Sequence, residues 1–138
     1  MSLRRLDGWE RVLSNYLQER SAQPFVWGEN DCCLLCADWI VLMTGQDIAR
    51  DVRGTYDTAD GAGALIARAG GLSALLDDRL GRENRVRPLQ ARRGDVVLIE
   101  GAAGLVDDSG LRVAVFFEHD QQLRRLPLKH AEKAWRVG

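Results

Sequence analysis

The sequence predicts an α+β domain in which helices come first and an antiparallel sheet follows. In the first part, apolar residues recur at helical spacing in four segments that are separated by glycines or polar turns. In the last part, short runs rich in β-branched residues alternate with turn sequences, which is typical of antiparallel strands. A charged connector at 82–93 divides the two parts. We therefore expect a single domain over 1–138, with a helical half at 1–81 packed on a sheet half at 94–138 of about four or more strands.

The size and charge of the chain exclude several classes of protein. Its 138 residues suffice to bury a core without a stapling metal or disulfide. The 19 basic residues nearly balance the 20 acidic ones, which argues against electrostatic binding of nucleic acid. No segment approaches the roughly 20 apolar residues of a membrane span. The three cysteines are crowded together, and an odd number does not make a disulfide framework. We expect reduced thiols, synthesis in the cytoplasm, and neither nucleic acid nor a membrane as partner.

The first helix is predicted to end at about Arg20. Asp7 followed by Glu10 is a capping-box pattern, in which the two side chains satisfy backbone donors of the first turn. The apolar stripe that faces the core then consists of Leu6, Trp9, Leu13, Tyr16 and Leu17.

The second helix follows an irregular loop at 21–29 and contains all three cysteines. Asn30 or Asp31 is placed to cap its first turn. The helix should end at Gly45, and its buried face consists of Cys32, Leu35, Cys36, Trp39, Ile40 and Met43. Cys32 falls in the first turn, where the aligned peptide dipoles favour the thiolate and lower its pKa.

Two shorter helices complete the helical half. Asp57 or Thr58 caps the third helix, which ends at Gly70-Gly71 and has the small apolar face Ala62, Leu65, Ile66 and Ala69. The fourth helix closes at Gly81 and buries Leu72, Leu75, Leu76 and Leu80.

The sheet half begins after Gly94-Asp95. The predicted strands are Val96–Ile99, Gly101–Val106, Leu111–Phe117 and Gln122–Leu126, with turn sequences between them. The segment 129–135 is interpreted as a last short helix or as an irregular cover anchored by Trp135.

Cys32 is the candidate nucleophile of the chain, because it lies in a first helical turn next to a capping acid. The alternative is a small buried apolar residue, since free cysteine is among the most buried residue types. A thiol hydrolase also needs a base, and the sequence contains two histidines. His119, in the turn Glu118-His119-Asp120, is a weak candidate base whose alternative is a solvated surface residue. His130 lies in a charged segment, where a surface position is expected.

Cys33 and Cys36 have the C-x-x-C spacing of redox pairs and metal sites. A zinc site needs two further ligands, and His119 and His130 are not spaced as a ligand pair. Packing in the core is therefore the favoured interpretation of both cysteines. We expect no metal and no cofactor.

Two motifs connect the chain to a known family. The sequence FVWGENDC at 25–32, followed by an apolar helix, resembles the motif of the NlpC-type cell-wall peptidases, which are papain-like cysteine hydrolases. The sequence RGDVVL at 93–98 is similar to the Gly-Asp start of that family's first core strand. The resemblance implies a papain-like NlpC-type fold and places the nucleophile at Cys32. It also makes Trp27, Gly28 and Asp31 the groove loop and helix cap beside that cysteine.

The chain is still more similar to one branch of this superfamily. The pieces Trp-Gly-x-x-Asp-Cys, Ala-Asp-Trp, Gly-Asp-Val-Val-Leu and Leu-Pro-Leu…Ala-Trp-Arg-Val resemble proteins encoded among the tail genes of prophages and gene-transfer-agent-like elements. That branch has no assigned function. The resemblance implies phage tail proteins or a peptidoglycan peptide as partners, and a final location in the virion or tail particle.

The catalytic histidine of the family has no counterpart in this sequence. In the peptidases it opens the second strand, and the matching piece here, GAAGL at 101–105, has Ala102 at that position. The third, polar position of the family falls near Ala114. If the 111–117 strand is the matching one instead, Leu111 or Arg112 takes the place of the histidine.

Three functions follow from these residues. The leading hypothesis is a tail-associated structural or binding module that has an NlpC-like fold and lacks standard peptidase activity. The second is a thiol hydrolase for cell-wall peptide or amide bonds that uses Cys32 as nucleophile and His119 as base. The third is a redox or metal site built from Cys33 and Cys36.

Overall fold

The computed structural model describes residues 4–138 and confirms the α+β class. In this part of the chain it contains four α-helices and a six-stranded sheet. The helices are α1 (Trp9–Ser21), α2 (Cys32–Thr44), α3 (Ala59–Arg68) and α4 (Leu72–Leu80). The strands are β1 (Arg85–Val86), β2 (Val96–Ile99), β3 (Ala102–Val106), β4 (Arg112–Val115), β5 (Arg124–Pro127) and β6 (Lys133–Trp135).

The strands are ordered β1-β6-β2-β3-β4-β5, and every neighbouring pair is antiparallel. A tight hairpin joins β2 to β3, with Ile99 opposite Ala102. Its two turn residues, Glu100 and Gly101, have φ of 47° and 76°. Positive φ at both positions is the geometry that matches the twist of a two-residue hairpin. This turn fixes the register that places Ala102 at the start of β3.

The sheet separates two apolar clusters. One face packs against α1, α2 and α4, and this larger cluster contains Leu13, Leu35, Trp39, Leu80, Leu105 and Trp135 among its buried residues. The other face carries Val97, Ile99, Ala102, Val106, Val113 and Val115. Short 3₁₀ turns at 88–90 and 128–130 cover that second face through Ala91 and Leu128. Because both faces are covered, β2 and β3 are buried at every position.

The helix ends follow their capping residues. The Asp31 side chain caps α2 by accepting from the Leu34 N–H, and Gly45 ends this helix in the left-handed conformation, so both predictions are confirmed. Thr58 caps α3, as predicted. The predicted Asp7 capping box is wrong, because α1 begins after Gly8, whose φ of 75° turns the chain without a side-chain cap.

Two strands, β1 and β6, were not predicted from the sequence. The connector at 82–93 contributes β1, and the segment predicted as a helix or irregular cover forms a 3₁₀ turn followed by β6. The β6 strand pairs on one side with β1 and on the other with β2. Contacts from α4 hold it there: Trp135 Nε1 donates to Asp77 at 3.0 Å, and Lys133 Nζ donates to Ser73 at 2.7 Å.

A buried ion pair joins both chain ends to the start of the sheet. Asp95 directly precedes β2 and is fully buried. It accepts from Arg5 Nη2 at 2.8 Å, from the Val137 N–H at 3.0 Å and from the Arg92 N–H at 2.8 Å. Burial lowers the pKa of the Arg5 guanidinium, and the Asp95 carboxylate opposes that shift. The buried charges are therefore compensated by each other and by the backbone N–H groups that donate to Asp95.

Within residues 4–138, no helix is both long enough and apolar enough to cross a bilayer.

Replacing Asp95 by Ala should destabilise the fold strongly. The change leaves the buried Arg5 guanidinium unpaired and removes the acceptor of two backbone N–H groups. Removing one member of a buried ion pair typically costs about 3–5 kcal/mol, and we expect a loss of that size in the free energy of unfolding from urea titration. Asp78→Ala is the control, since this exposed carboxylate has only a 3.6 Å ion pair. Equal effects of the two substitutions would contradict the role of Asp95.

Candidate functional site

The loop before α2 is closed by its own backbone and by Arg20. Val26 and Asn30 exchange backbone hydrogen bonds of 3.1 and 2.8 Å. The Asn30 side chain donates to the Pro24 carbonyl at 2.9 Å and accepts from Arg20 Nη1 at 2.8 Å. Arg20 also forms a salt bridge with Asp38 in α2, so the loop is fastened to α1 and α2 together.

The Asp31 carboxylate is the centre of this region, and only 2% of the residue is exposed. Its Oδ1 accepts from the Leu34 N–H at 2.9 Å, which caps α2. Its Oδ2 accepts from the Gly28 N–H at 3.0 Å and from the Tyr56 hydroxyl at 2.5 Å. Burial and this hydrogen bond raise the pKa of Tyr56, which keeps its proton on the bond to Asp31. The loop, the helix and the segment before α3 therefore meet at one carboxylate.

The backbone conformation and the close packing at position 28 both require a glycine. Its φ is +79°, and a Cβ built on it would lie 2.2 Å from the Tyr56 carbonyl oxygen. The two segments can approach this closely only because Gly28 has no side chain.

Cys32 is the first residue of α2 and is half-buried. Its Sγ lies 3.9 Å from the Sγ of Cys33. The hydrogen bond from Cys33 lowers the pKa of the Cys32 thiol, burial opposes this, and a hydrogen bond to the Ala103 backbone lowers the pKa further. The helix N-terminus acts in the same direction. The thiol of Cys32 therefore has the lowest pKa of the three cysteines.

The two other thiols are held in the protonated form. The hydrogen bond to Cys32 and burial raise the pKa of Cys33 well above its usual value. Burial raises the pKa of Cys36 in the same way, and only 2% of this residue is exposed. Cys36 belongs to the main core and Cys33 packs against it, which agrees with the predicted core packing.

A mostly apolar cavity of about 170 Å³ lies beside Cys32. Trp27, Asp31 and the three cysteines line it together with Tyr56. Aliphatic side chains from 48–52, α3 and α4 form much of the remaining wall: Ile48, Val52, Leu65, Ile66, Leu72 and Leu75. The structure thus brings together Trp27, Asp31 and Cys32, and Gly28 joins them through its bond to Asp31.

Ala102, predicted to stand where the peptidase family has its histidine, is the first residue of β3 and is 5% exposed. Cys32 packs against the same apolar cluster to which Ala102 belongs. The strand predicted at 101–106 is confirmed. Ala114, the position of the third residue, is fully buried in β4 opposite Leu105.

His119 lies in the loop between β4 and β5, where its side chain is 87% exposed and its Nε2 is 3.0 Å from the Glu118 carboxylate. His130 is exposed at the end of a 3₁₀ turn. In the described part of the chain neither histidine lines the cavity, and neither is hydrogen-bonded to Cys32. The role of His119 as base stays a prediction that this arrangement does not support.

Over residues 4–138, no group of three or more His, Cys, Asp and Glu side chains is arranged to hold a metal ion. The polar side chains that line the cavity are Asp31, Tyr56, Arg79, Trp27 and the three cysteines, and the Arg79 guanidinium is paired with the Ile48 carbonyl and with Asp51.

Sequence analysis missed the bond between Tyr56 and Asp31. The two residues are 25 positions apart, and no local pattern links them. The contribution of α3 and α4 to the cavity was missed for a similar reason: their apolar faces were predicted, but the gap between them was not.

Comparison with protein families gives one informative result. A family model described as a domain of unknown function, DUF6950, matches residues 4–137. Comparison with curated proteins and with solved structures found no significant match.

Gly28→Ala should destabilise the domain more than Gly45→Ala. Both residues have a φ near +75°, so an alanine costs roughly 1–2 kcal/mol of backbone strain at either position. Nothing lies within 4 Å of a Cβ at Gly45, whereas a Cβ at Gly28 meets the Tyr56 carbonyl. We expect a further loss of about 1–3 kcal/mol in the free energy of unfolding of Gly28→Ala. Equal losses in urea titrations would show that the close approach to Tyr56 does not constrain the loop.

Cys32 should be alkylated at a lower pH than the other two cysteines. Its lowered pKa maintains a thiolate below the pH at which a free thiol ionises, while the raised pKa values of Cys33 and Cys36 keep those thiols protonated. Iodoacetamide labelling over a pH series, read by fragmentation of the tryptic peptide 21–50, measures each cysteine separately. Cys36 serves as the internal control. If all three cysteines are labelled with the same pH dependence, the pKa of Cys32 is not lower than that of the other two, and the prediction is wrong.

Proposed function

This chain belongs to the DUF6950 family, and we propose that it is a binding domain with a papain-like, NlpC-type fold that does not carry out standard peptidase chemistry. Three features support the fold: the order of helices and sheet, Cys32 at the start of a buried helix, and the Gly94-Asp95 turn at the start of β2. The RGDVVL and FVWGENDC sequences support it independently.

The observation that carries the proposal is the surroundings of Cys32. Acyl transfer by a thiol needs a group that takes up the thiol proton and later protonates the leaving amine. Here the apolar residue Ala102 occupies the predicted position of that group, and His119 is exposed in a different loop. A thiolate favoured by the helix N-terminus can attack a carbonyl, but neither histidine lies beside it in the described part of the chain to take up a proton and pass it to the amine.

The cavity supports the binding role. A dry cavity of about 150 Å³ lined by aliphatic and aromatic side chains is known to bind benzene, so the cavity beside Cys32 has room for an apolar group of about six carbon atoms. The ligand would place such a group between α2, α3 and α4. A polar part could reach the Tyr56 hydroxyl or the half-buried thiols.

The biological partners follow from the resemblance alone. We propose a tail-associated role, in which the domain contacts a phage tail protein or a peptidoglycan peptide. It would be made in the cytoplasm and function in the virion.

The lowered pKa of Cys32 is the observation that favours the alternative, a thiol hydrolase for cell-wall peptide or amide bonds. The amide of Ala103 next to the thiol would then also be available to a developing oxyanion. In that case His119 would have to act as the base.

Filling the cavity should weaken the binding of a small apolar probe. Ala62 in α3 lines the cavity and is 7% exposed, so a leucine there occupies part of its volume. Ala64 in the same helix is exposed, which makes Ala64→Leu the matched control. In NMR titrations with benzene we expect chemical-shift changes around α2 and α3 for the wild type and for Ala64→Leu. We expect at least a roughly tenfold weaker Kd for Ala62→Leu, which corresponds to about 1.4 kcal/mol.

Incubation of the wild type, Cys32→Ala and His119→Ala with a peptidoglycan stem peptide distinguishes the two functions. A binding domain leaves the peptide intact in mass spectra. Cleavage by the wild type that is lost in Cys32→Ala and in His119→Ala would overturn the binding proposal and establish the hydrolase. Failure of benzene to bind any of the proteins would overturn the role of the cavity.

A further inference from the structure

Two of the three cysteines form a pair whose reactivity the proposed binding function does not require. Cys32 and Cys33 are neighbours at the start of α2, and their sulfurs are 3.9 Å apart. Both are half-buried and both line the cavity, whereas Cys36, also on its wall, is buried. A small molecule that enters the cavity therefore has two accessible thiols in front of it.

We propose that Cys32 and Cys33 form an oxidisable dithiol site, at which a hydroperoxide oxidises Cys32 and Cys33 converts the product into a disulfide between the two neighbours. The proposal does not depend on the binding function. The substrate class is a molecule with an O–O bond, either hydrogen peroxide or an organic hydroperoxide.

The chemistry suits the groups that are present. The Cys32 thiolate attacks the terminal oxygen of the peroxide, the O–O bond breaks, and Cys32 becomes a sulfenic acid. The leaving hydroxide or alkoxide takes the proton of the Cys33 thiol. The Cys33 thiolate then attacks the Cys32 sulfur and displaces hydroxide, which is protonated by solvent. Two thiols are oxidised, one peroxide is reduced, and the product is a disulfide with two molecules of water, or with water and an alcohol.

This sequence needs no histidine. Acyl transfer requires a base that shuttles a proton to an amine, but peroxide reduction requires only a thiolate and one proton donor. The contact between the two thiols supplies both: either sulfur can donate while both are protonated, and once Cys32 is a thiolate, Cys33 is the donor. The lowered pKa of Cys32 and the raised pKa of Cys33 agree with these roles.

The geometry selects Cys33 rather than Cys36 as the resolving thiol. Among the described residues the only contact between cysteine sulfurs is the one between Cys32 and Cys33. Cys36 belongs to the main core and is 2% exposed, and burial keeps its thiol protonated by raising its pKa. A sulfenic acid on Cys32 would therefore meet Cys33 first.

The disulfide would be strained and easily reduced. Adjacent Cα atoms in a trans chain are about 3.8 Å apart, which is below the range of about 4.4–6.8 Å for ordinary disulfides. Closing the ring should therefore distort the first turn of α2, including the Leu34 N–H bond to Asp31 that caps it. Strained disulfides have more oxidising potentials, so a small thiol should reverse the reaction.

The experiment is oxidation of the folded protein with hydrogen peroxide, followed by blocking of free thiols and mass spectrometry of the tryptic peptide 21–50, which holds all three cysteines. We expect the peptide to lose the mass of two hydrogens and to keep one alkylated cysteine. Fragmentation should assign that alkylated residue to Cys36. Treatment with dithiothreitol should restore three free thiols.

Substitutions separate the two steps. Cys33→Ser should stop at the sulfenic acid, which dimedone traps on Cys32, and Cys32→Ser should abolish the fast reaction. Cys36→Ser is the matched control, and it should form the disulfide like the wild type. A disulfide that includes Cys36 in the wild type would overturn the proposal. So would oxidation of Cys32 no faster than that of free cysteine. Circular dichroism of each variant shows that it is folded, and wild-type mapping tests the proposal even if one variant is not.

Discussion

The buried carboxylate of Asp31 holds the site together, because the loop before it, the helix after it and Tyr56, 25 positions further along the chain, all donate hydrogen bonds to it. The Leu34 N–H begins α2, the Gly28 N–H closes the preceding loop, and the Tyr56 hydroxyl brings in the segment before α3. A buried carboxylate is costly unless its oxygens are satisfied, so the three segments are constrained to keep this arrangement. The constraint places Cys32 at the first turn of α2, and it also determines one wall of the cavity.

The sheet supplies the other side of the site and explains its apolar character. The tight turn at Glu100 and Gly101 starts β3 at Ala102, next to the apolar cluster against which Cys32 packs. Ala102 contributes only an apolar side chain to this cluster. The surroundings of Cys32 thus favour an anionic sulfur and provide no imidazole to transfer its proton. This combination is the reason for proposing binding and thiol oxidation at this site rather than acyl transfer.

The sequence predicted those parts of the fold whose signals are local. The cap at Asp31, the end of α2 at Gly45 and the β-branched run of β2 each depend on a few adjacent residues, and all were found. Strand β6 was not, because a three-residue segment becomes a strand only through pairing with β1 and β2, which are distant in the sequence. The bond between Tyr56 and Asp31 and the cavity between helices are likewise properties of tertiary packing. The contact between Cys32 and Cys33 was also missed, since adjacent helical side chains ordinarily point in different directions.

The contact between Cys32 and Cys33 indicates how a cysteine can stay reactive without a histidine as its base. A thiolate at a helix N-terminus is stabilised by the backbone, and the stabilisation does not depend on a histidine. Without a histidine the site lacks the base that acyl transfer needs, but a nucleophile remains if a second group holds the thiolate in place. Here Cys33 supplies the hydrogen bond that an imidazole would otherwise give, and because it is itself a thiol, it also changes the reaction open to the pair. A thiolate with a neighbouring thiol and no base is suited to a hydroperoxide, because the leaving hydroxide or alkoxide is much less basic than a leaving amide nitrogen and no water has to be activated in a second step.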